Sequence, residues 1–144
     1  MLDDKILTGE VCPYCNCSTI LVSGEVIYPE SISVEPRLKF LDKKFYMCIL
    51  NNDHYVGTYS DNITSLGRLA DSTLRNWKRM GHSVFDPLYT LHKIFKTRPA
   101  AYEWLSIQMN LPAETVHFGM FNIEQCIEAI SHCKRIIEEK EGKG

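Results

Sequence analysis

The stretch Cys12-Pro13-Tyr14-Cys15 constrains this chain more than any other feature. Two cysteines separated by two residues can turn both sulfurs toward one point, as a tetrahedral metal ion requires. Cys48 follows one hairpin-length further on, in a segment that reads as a strand. A cysteine pair ahead of one hairpin and a cysteine at the end of a later strand is the layout of a zinc ribbon, so a structural zinc ion is expected. The chain opens Met1-Leu2-Asp3-Asp4-Lys5, without the basic start and apolar run of an export signal. Six cysteines in that setting point to thiols or metal ligands and to a cytoplasmic protein.

Three ligands are Cys12, Cys15 and Cys48, and the fourth is open. A second Cys-x-x-Cys would complete a ribbon, but Ile49-Leu50-Asn51 follow Cys48 instead. His54 is the first choice, because imidazole suits zinc and the turn at Asn51-Asn52-Asp53 can swing it back. Cys17 and Asp53 are the alternatives.

The length of 144 residues suits one domain, or one domain with a metal-held lobe. Strands are expected over 19–22 and 25–28 across the two-residue turn Ser23-Gly24, then over 44–49 and 54–59, with a loop from Pro29 to Pro36. After Asn62 the pattern turns helical. Leu69, Leu74, Trp77 and Met80 share one side of a helix over 66–80, and Gly81 supplies its stop. Asp86 reads as an N-cap with Pro87 at the first helical position, opening a helix toward Phe95. Thr97-Arg98-Pro99 opens another, carrying Tyr102, Trp104 and Leu105, with Pro112 beyond its end. Asn122 and Gln125 have capping-box spacing at the head of the longest helix. Its apolar stripe is Ile123, Cys126, Ile127, Ile130, Cys133, Ile136 and Ile137, which makes Cys126 and Cys133 core residues. The expected architecture is α+β. A small zinc-braced antiparallel β ribbon, residues 1–62, packs on a C-terminal bundle of about four helices, residues 63–144.

The net charge of −2 hides a segregation. Residues 1–63 carry five Lys/Arg against nine Asp/Glu, residues 64–98 seven against two, and residues 99–144 four against seven. The middle segment is therefore the one that attracts phosphate. On a helical wheel Arg68, Arg75, Arg79 and His82 fall within about 60° of one another at 3.6 residues per turn. Arginine forks match phosphate oxygens, so this face, extended by Arg98, is a candidate for binding them. No apolar run approaches the roughly 20 residues that span a bilayer.

The ordered motifs resemble a zinc-finger-containing domain family of unknown function found in bacteria and phages. The residues that carry the resemblance are Cys12-Pro13-Tyr14-Cys15, Leu21-Val22-x-Gly24, Ile27-Tyr28-Pro29, Tyr55-Val56-Gly57-Thr58 and Leu66-Gly67-Arg68-Leu69-Ala70. They continue with Phe85-Asp86-Pro87-Leu88, Arg98-x-x-Ala101-Tyr102-x-Trp104-Leu105 and His117-x-Gly119-Met120-Phe121. The resemblance implies a zinc site and a mainly helical second half. This chain departs from the pattern in having only Cys48 in place of the second Cys-x-x-Cys, and Tyr59 where a histidine is expected.

The leading expectation is a zinc-binding protein that holds nucleic acid or a nucleotide through its basic helical surface, with Arg68, Arg75, Arg79, His82, Arg98 and His117 as ligand-binding residues. By family association it is a candidate phage accessory or anti-defence factor. One alternative is an enzyme that hydrolyses phosphodiesters with His82, Asp86 and His117. Against it, the sequence offers no carboxylate cluster for magnesium, and Asp86 reads as a cap. The other is an adaptor that docks a protein, for instance one of a host.

Overall fold

The computed structural model of the chain describes residues 2–28 and 42–142, so the loop expected from Pro29 to Pro36 lies outside the described residues. The chain forms two compact units, Met1–Ser72 and Thr73–Gly144. The α+β class is as expected, with the sheet N-terminal and helices C-terminal.

The first unit contains α1 (Leu2–Leu7), β1 (Thr19–Ser23), α2 (Gly24–Ile27), β2 (Lys44–Cys48) and β3 (Tyr55–Gly57). The strands form one antiparallel sheet in the order β1-β2-β3, with Thr19 opposite Cys48 and Tyr46 opposite Val56. The expected hairpin at Ser23-Gly24 is absent. Gly24 does not take the positive φ that a two-residue hairpin needs, and its N–H donates to the Lys43 carbonyl at 2.8 Å. The chain turns there into the short helix α2, and β1 takes β2 as its partner.

The helix expected from Leu66 starts only at Ser72. Leu66 N–H donates to the Gly57 carbonyl at 2.9 Å, and Ala70 and Tyr55 exchange backbone hydrogen bonds of 3.0 and 3.2 Å. Those groups extend the sheet and are unavailable to an α-helical ladder. Gly67, at φ 149°, is in a conformation that L side chains rarely adopt. Cys12, Cys48, Val56 and Leu69 are buried together, with Cys15, Cys17, Tyr46 and Leu66 against them, so the sulfurs are themselves part of this core.

The second helical region contains α3 (Ser72–Phe85), α4 (Pro87–Thr90), α5 (Arg98–Met109) and α6 (Ile123–Glu141), with 3-10 turns at Ala113–Thr115 and Phe118–Met120. Two starts are as the sequence implies. Thr97 Oγ1 accepts from Ala100 N–H at 3.2 Å, and Asn122 and Gln125 cap each other reciprocally at 2.8 and 2.9 Å. Asn110, at φ 55°, ends α5 in the left-handed region. On α6 the buried residues are Cys126, Ala129, Ile130 and Cys133, while Ile127 is 45% exposed. The stripe is thus narrower than expected and includes an alanine.

Two other expectations hold only in part or fail. Asp86 holds the N-cap position with Pro87 at the first helical position, as expected, but its side chain makes no capping bond: its backbone is right-handed helical and its N–H donates to the His82 carbonyl at 3.0 Å. The following helix ends at Thr90, short of Phe95, and Lys93 takes a left-handed φ of 54°. Nor does Gly81 stop α3, which runs on to Phe85. Gly81 is buried, and a Cβ there would run into the ring of Phe118.

The residue therefore serves close approach rather than termination. Gly81→Ala gains helix propensity of up to about 1 kcal/mol, but it must displace a fully buried phenyl ring. Overpacking costs about 1–3 kcal/mol, so the net expectation is destabilisation. Chemical denaturation of the two proteins checks this, and an unchanged or raised midpoint would show that the ring shifts freely.

Candidate functional site

The metal centre is built where two turns face each other at one end of the sheet. Cys12 leads the first. Its N–H donates to the Cys17 carbonyl at 2.9 Å, Asn16 N–H returns to the Cys12 carbonyl at 2.8 Å, and Asn16 takes a φ of 55° that lets the chain double back. The second turn joins β2 to β3. Cys48 N–H donates to the His54 carbonyl at 2.9 Å, which sets the two residues across from each other.

The ligand atoms of Cys12, Cys15, Cys48 and His54 all lie within 4.8 Å of one another. His54 Nδ1 is 3.5 Å from Cys12 Sγ and 3.7 Å from Cys15 Sγ. Metal bonds of about 2.3 Å to sulfur and 2.0 Å to nitrogen, meeting at tetrahedral angles, separate the two donor types by roughly 3.5 Å. The cluster fits that geometry. His54 is buried and its ring lies 4.4 Å from that of Tyr14, whose hydroxyl accepts from Asp71 N–H at 3.1 Å.

Electrostatics favour a cation there. Burial alone would raise the Cys48 thiol, but the backbone N–H groups of Leu50 and Asn51 and the Cys17 thiol bring it down to about 6. The Leu50 N–H donates to Cys48 Sγ at 3.3 Å. Burial, and then the neighbouring Cys48, pushes Cys15 up to about 12. One thiolate thus opposes the next, and a dication relieves both.

The two alternative ligands lie outside the four-residue cluster. Asp53 Oδ2 accepts from Ser72 N–H at 3.3 Å. Cys17 Sγ stands 3.4 Å from Cys48 Sγ, beside the four-ligand set.

A second group of chemically capable residues gathers in the helical unit. Lys78, His82 and Asp86 follow one another at intervals of four, so they lie along one face of α3 and its continuation. Lys78 Nζ donates to the Gly119 carbonyl at 3.1 Å, and the His82 ring lies 4.7 Å from that of Phe118. His82 Nδ1 is 3.3 Å from Asp86 Oδ1, which also accepts from the Tyr89 hydroxyl at 3.2 Å. From α5, the guanidinium of Arg98 lies 5.5 Å from the centre of the Tyr102 ring. The Tyr102 hydroxyl is buried, with the Arg98 guanidinium and the Phe118 backbone beside it. His117 is half-buried; burial, then the charges of Lys78 and Arg98, hold its pKa below the usual histidine range.

Of the residues read from the sequence as ligand-binding, His82, Arg98 and His117 thus belong to one neighbourhood, with Asp86. Arg68 does not share the helical face assigned to it. It precedes α3, belongs to the first unit, and acts electrostatically on Tyr14. Arg75 remains on α3 but already has a partner, and Arg79 donates to Asn76 Oδ1 at 2.8 Å. Sequence reasoning counts Lys78 only as one charge of the basic segment and does not place Tyr89 or Tyr102 in the group. The spacing 78, 82, 86 was visible; the arrival of Gly119 and Tyr102 beside it was not.

Removing a ligand tests the centre. Cys48→Ser and His54→Ala should each lower the metal retained after purification, whereas Asp53→Ala should retain the wild-type amount. Elemental analysis reads this directly. Full retention in His54→Ala would transfer the fourth position to Cys17.

No curated protein and no solved structure matches the chain. A family described as a zinc-finger-containing domain matches residues 8–136. That match covers most of the sequence and contains all four clustered ligands and every residue of the helical polar group. The chain belongs to the family of zinc-finger-containing domains.

Proposed function

We propose that this protein is a zinc-braced binding module for phosphate-bearing ligands, nucleic acid or nucleotide, and that the ion at Cys12, Cys15, Cys48 and His54 is a structural zinc. Three sulfurs and an imidazole are a donor set that zinc favours, and four protein ligands complete a structural site. The zinc would tie the Cys12–Cys15 turn to the β2–β3 turn and so hold together a small unit whose core contains the same sulfurs.

One observation carries the ligand-binding part: Lys78 and Arg98, from different helices, both act on His117. Two cations acting on one imidazole suit an anion, and Lys78 Nζ lies 3.1 Å from the Gly119 carbonyl, two residues from His117. The site proposed is therefore this group rather than the Arg75 and Arg79 face. Six free cysteines suit a reducing compartment such as the cytoplasm. Among the described residues no helix is long and apolar enough to cross a membrane.

The purified protein should hold one zinc per chain, as the one four-ligand cluster among the described residues implies. It should also bind single-stranded oligonucleotides or nucleotides with an affinity that falls as salt rises, at a logarithmic slope of about −0.7 per strand phosphate neutralised. Fluorescence anisotropy at several salt concentrations measures this. Failure of DNA, RNA and nucleotides alike to bind at low salt would leave the adaptor as the better account.

A second reading, hydrolysis of a phosphodiester, is favoured by the His82–Asp86 pair. Asp86 is not spent on capping and is placed to orient His82, as a carboxylate orients a general base. His82 would take a proton from the water that attacks phosphorus, and the leaving oxygen would depart with a proton from solvent or His117. Release of nitrophenolate from bis(p-nitrophenyl) phosphate, lost in His82→Ala while helicity is unchanged, would establish it. Binding without turnover would exclude it for that substrate.

A further inference from the structure

Four cysteines lie in the first unit, and the metal set uses three of them. The fourth, Cys17, has its Sγ 3.4 Å from Cys48 Sγ, in contact with a ligand yet outside the four-residue cluster. The geometry points to an oxidation site: hydrogen peroxide oxidises Cys17, which then captures Cys48 as a disulfide, removes one ligand and releases the zinc. This rests on the structural zinc proposed above and adds a chemical trigger for letting the ion go.

The backbone brings the two sulfurs together without an ion. Cys12 N–H donates to the Cys17 carbonyl at 2.9 Å, and Val11 and Ser18 form an antiparallel bridge, so both ends of the cysteine turn are pinned. From there the chain enters β1, with Thr19 opposite Cys48. A disulfide bond is about 2 Å long, so the sulfurs must close by roughly 1.4 Å, which side-chain rotation can supply. The thiols of α6 offer no such pair. Cys126 and Cys133 are seven residues apart, about 10.5 Å along the helix axis at 1.5 Å per residue. Bridged cysteines have Cα atoms within about 7 Å of each other.

Exposure sets the order of events. Cys12 and Cys48 are fully buried, whereas Cys17 is only partly so. Cys15 is also partly buried, but in the loaded protein its sulfur is a ligand. Peroxide therefore meets Cys17 as the free thiol within reach, beside a second sulfur able to resolve the product. The Cys17 sulfur attacks one peroxide oxygen, the O–O bond breaks, and the departing hydroxide leaves as water with the thiol proton. The resulting sulfenic sulfur lies against Cys48. The Cys48 thiolate attacks it, the S–S bond forms, the S–O bond breaks, and hydroxide leaves to take a proton from solvent. The two sulfurs together lose two electrons, and the peroxide is reduced to two waters.

Once in a disulfide, the Cys48 sulfur is no longer an anionic donor. Cys12, Cys15 and His54 remain, and three ligands do not close a structural site. The step is reversible, because a dithiol attacks the disulfide and returns both thiols. A reducing compartment keeps the pair reduced until peroxide arrives.

The test exposes the zinc-loaded full chain and its Cys17→Ser variant to hydrogen peroxide beside a chromophoric zinc chelator. Before exposure the two should hold equal zinc and give the same circular dichroism spectrum. The wild type should then lose its zinc, yield a Cys17–Cys48 cross-linked peptide by mass spectrometry, and rebind the ion after dithiothreitol. Cys17→Ser keeps all four ligands and should retain its zinc. The cross-link is read in the wild type, so it does not depend on how the variant folds. Equal release from both proteins, a different cross-link, or no release from the wild type overturns this inference and leaves the structural zinc standing. Zinc missing from Cys17→Ser alone makes Cys17 a ligand and also overturns it. A wild type that holds no zinc overturns both.

Discussion

The hydrogen bond from Cys48 N–H to the His54 carbonyl closes the turn between β2 and β3, and the metal centre depends on it. It places a cysteine and a histidine from the two sides of a hairpin where their side chains can meet. The antiparallel pairing of Thr19 with Cys48 then brings the Cys12–Cys17 turn to the same end of the sheet. A metal ligand set requires donor atoms within a few tenths of an ångström of their places, and a three-stranded sheet of short strands is a modest frame for that. The frame suffices because backbone hydrogen bonds fix both turns before any ion is considered, and a bound ion would add cohesion that so small a core lacks.

In the helical unit the comparable constraint is steric. Phe118 occupies the space that a side chain at position 81 would need, which brings the 3-10 turn at Phe118–Met120 close against α3. That approach lets Lys78 reach Gly119 and puts the His82 ring over Phe118. The packing of one apolar residue thus determines where the flanking polar ones stand. His117 and Gly119 are functional candidates largely because of what lies between them.

Much of this was legible in the sequence. The cysteine pair, Cys48 and His54 follow from ligand chemistry and turn length, and the caps at Thr97 and Asn122 follow from local hydrogen bonding, which sequence reports well. The failures share another cause. Ser23-Gly24, Leu66 to Ala70 and Gly81 are assigned from neighbours in sequence, while their conformations are set by partners elsewhere along the chain: Lys43, Gly57 and Tyr55, and Phe118. Helical periodicity in 66–70 was real but outweighed by an open strand edge that needed hydrogen-bond partners. Asp86 keeps the cap position ahead of Pro87, but its carboxylate is taken by His82 and Tyr89 instead of the helix N–H groups.

The burial of Cys126 and Cys133 gives the six thiols an order of accessibility. Cys17 is neither fully buried nor one of the four clustered ligands, so in the metal-loaded state it is the thiol most open to an alkylating reagent. Cys12 and Cys48 are buried in the core of the first unit, so they would react only as that unit opens. The pair on α6 joins them only when the helical unit itself comes apart. The cysteines thereby form a built-in chemical ruler, on which the state of each unit can be read separately from the number of sulfurs that react.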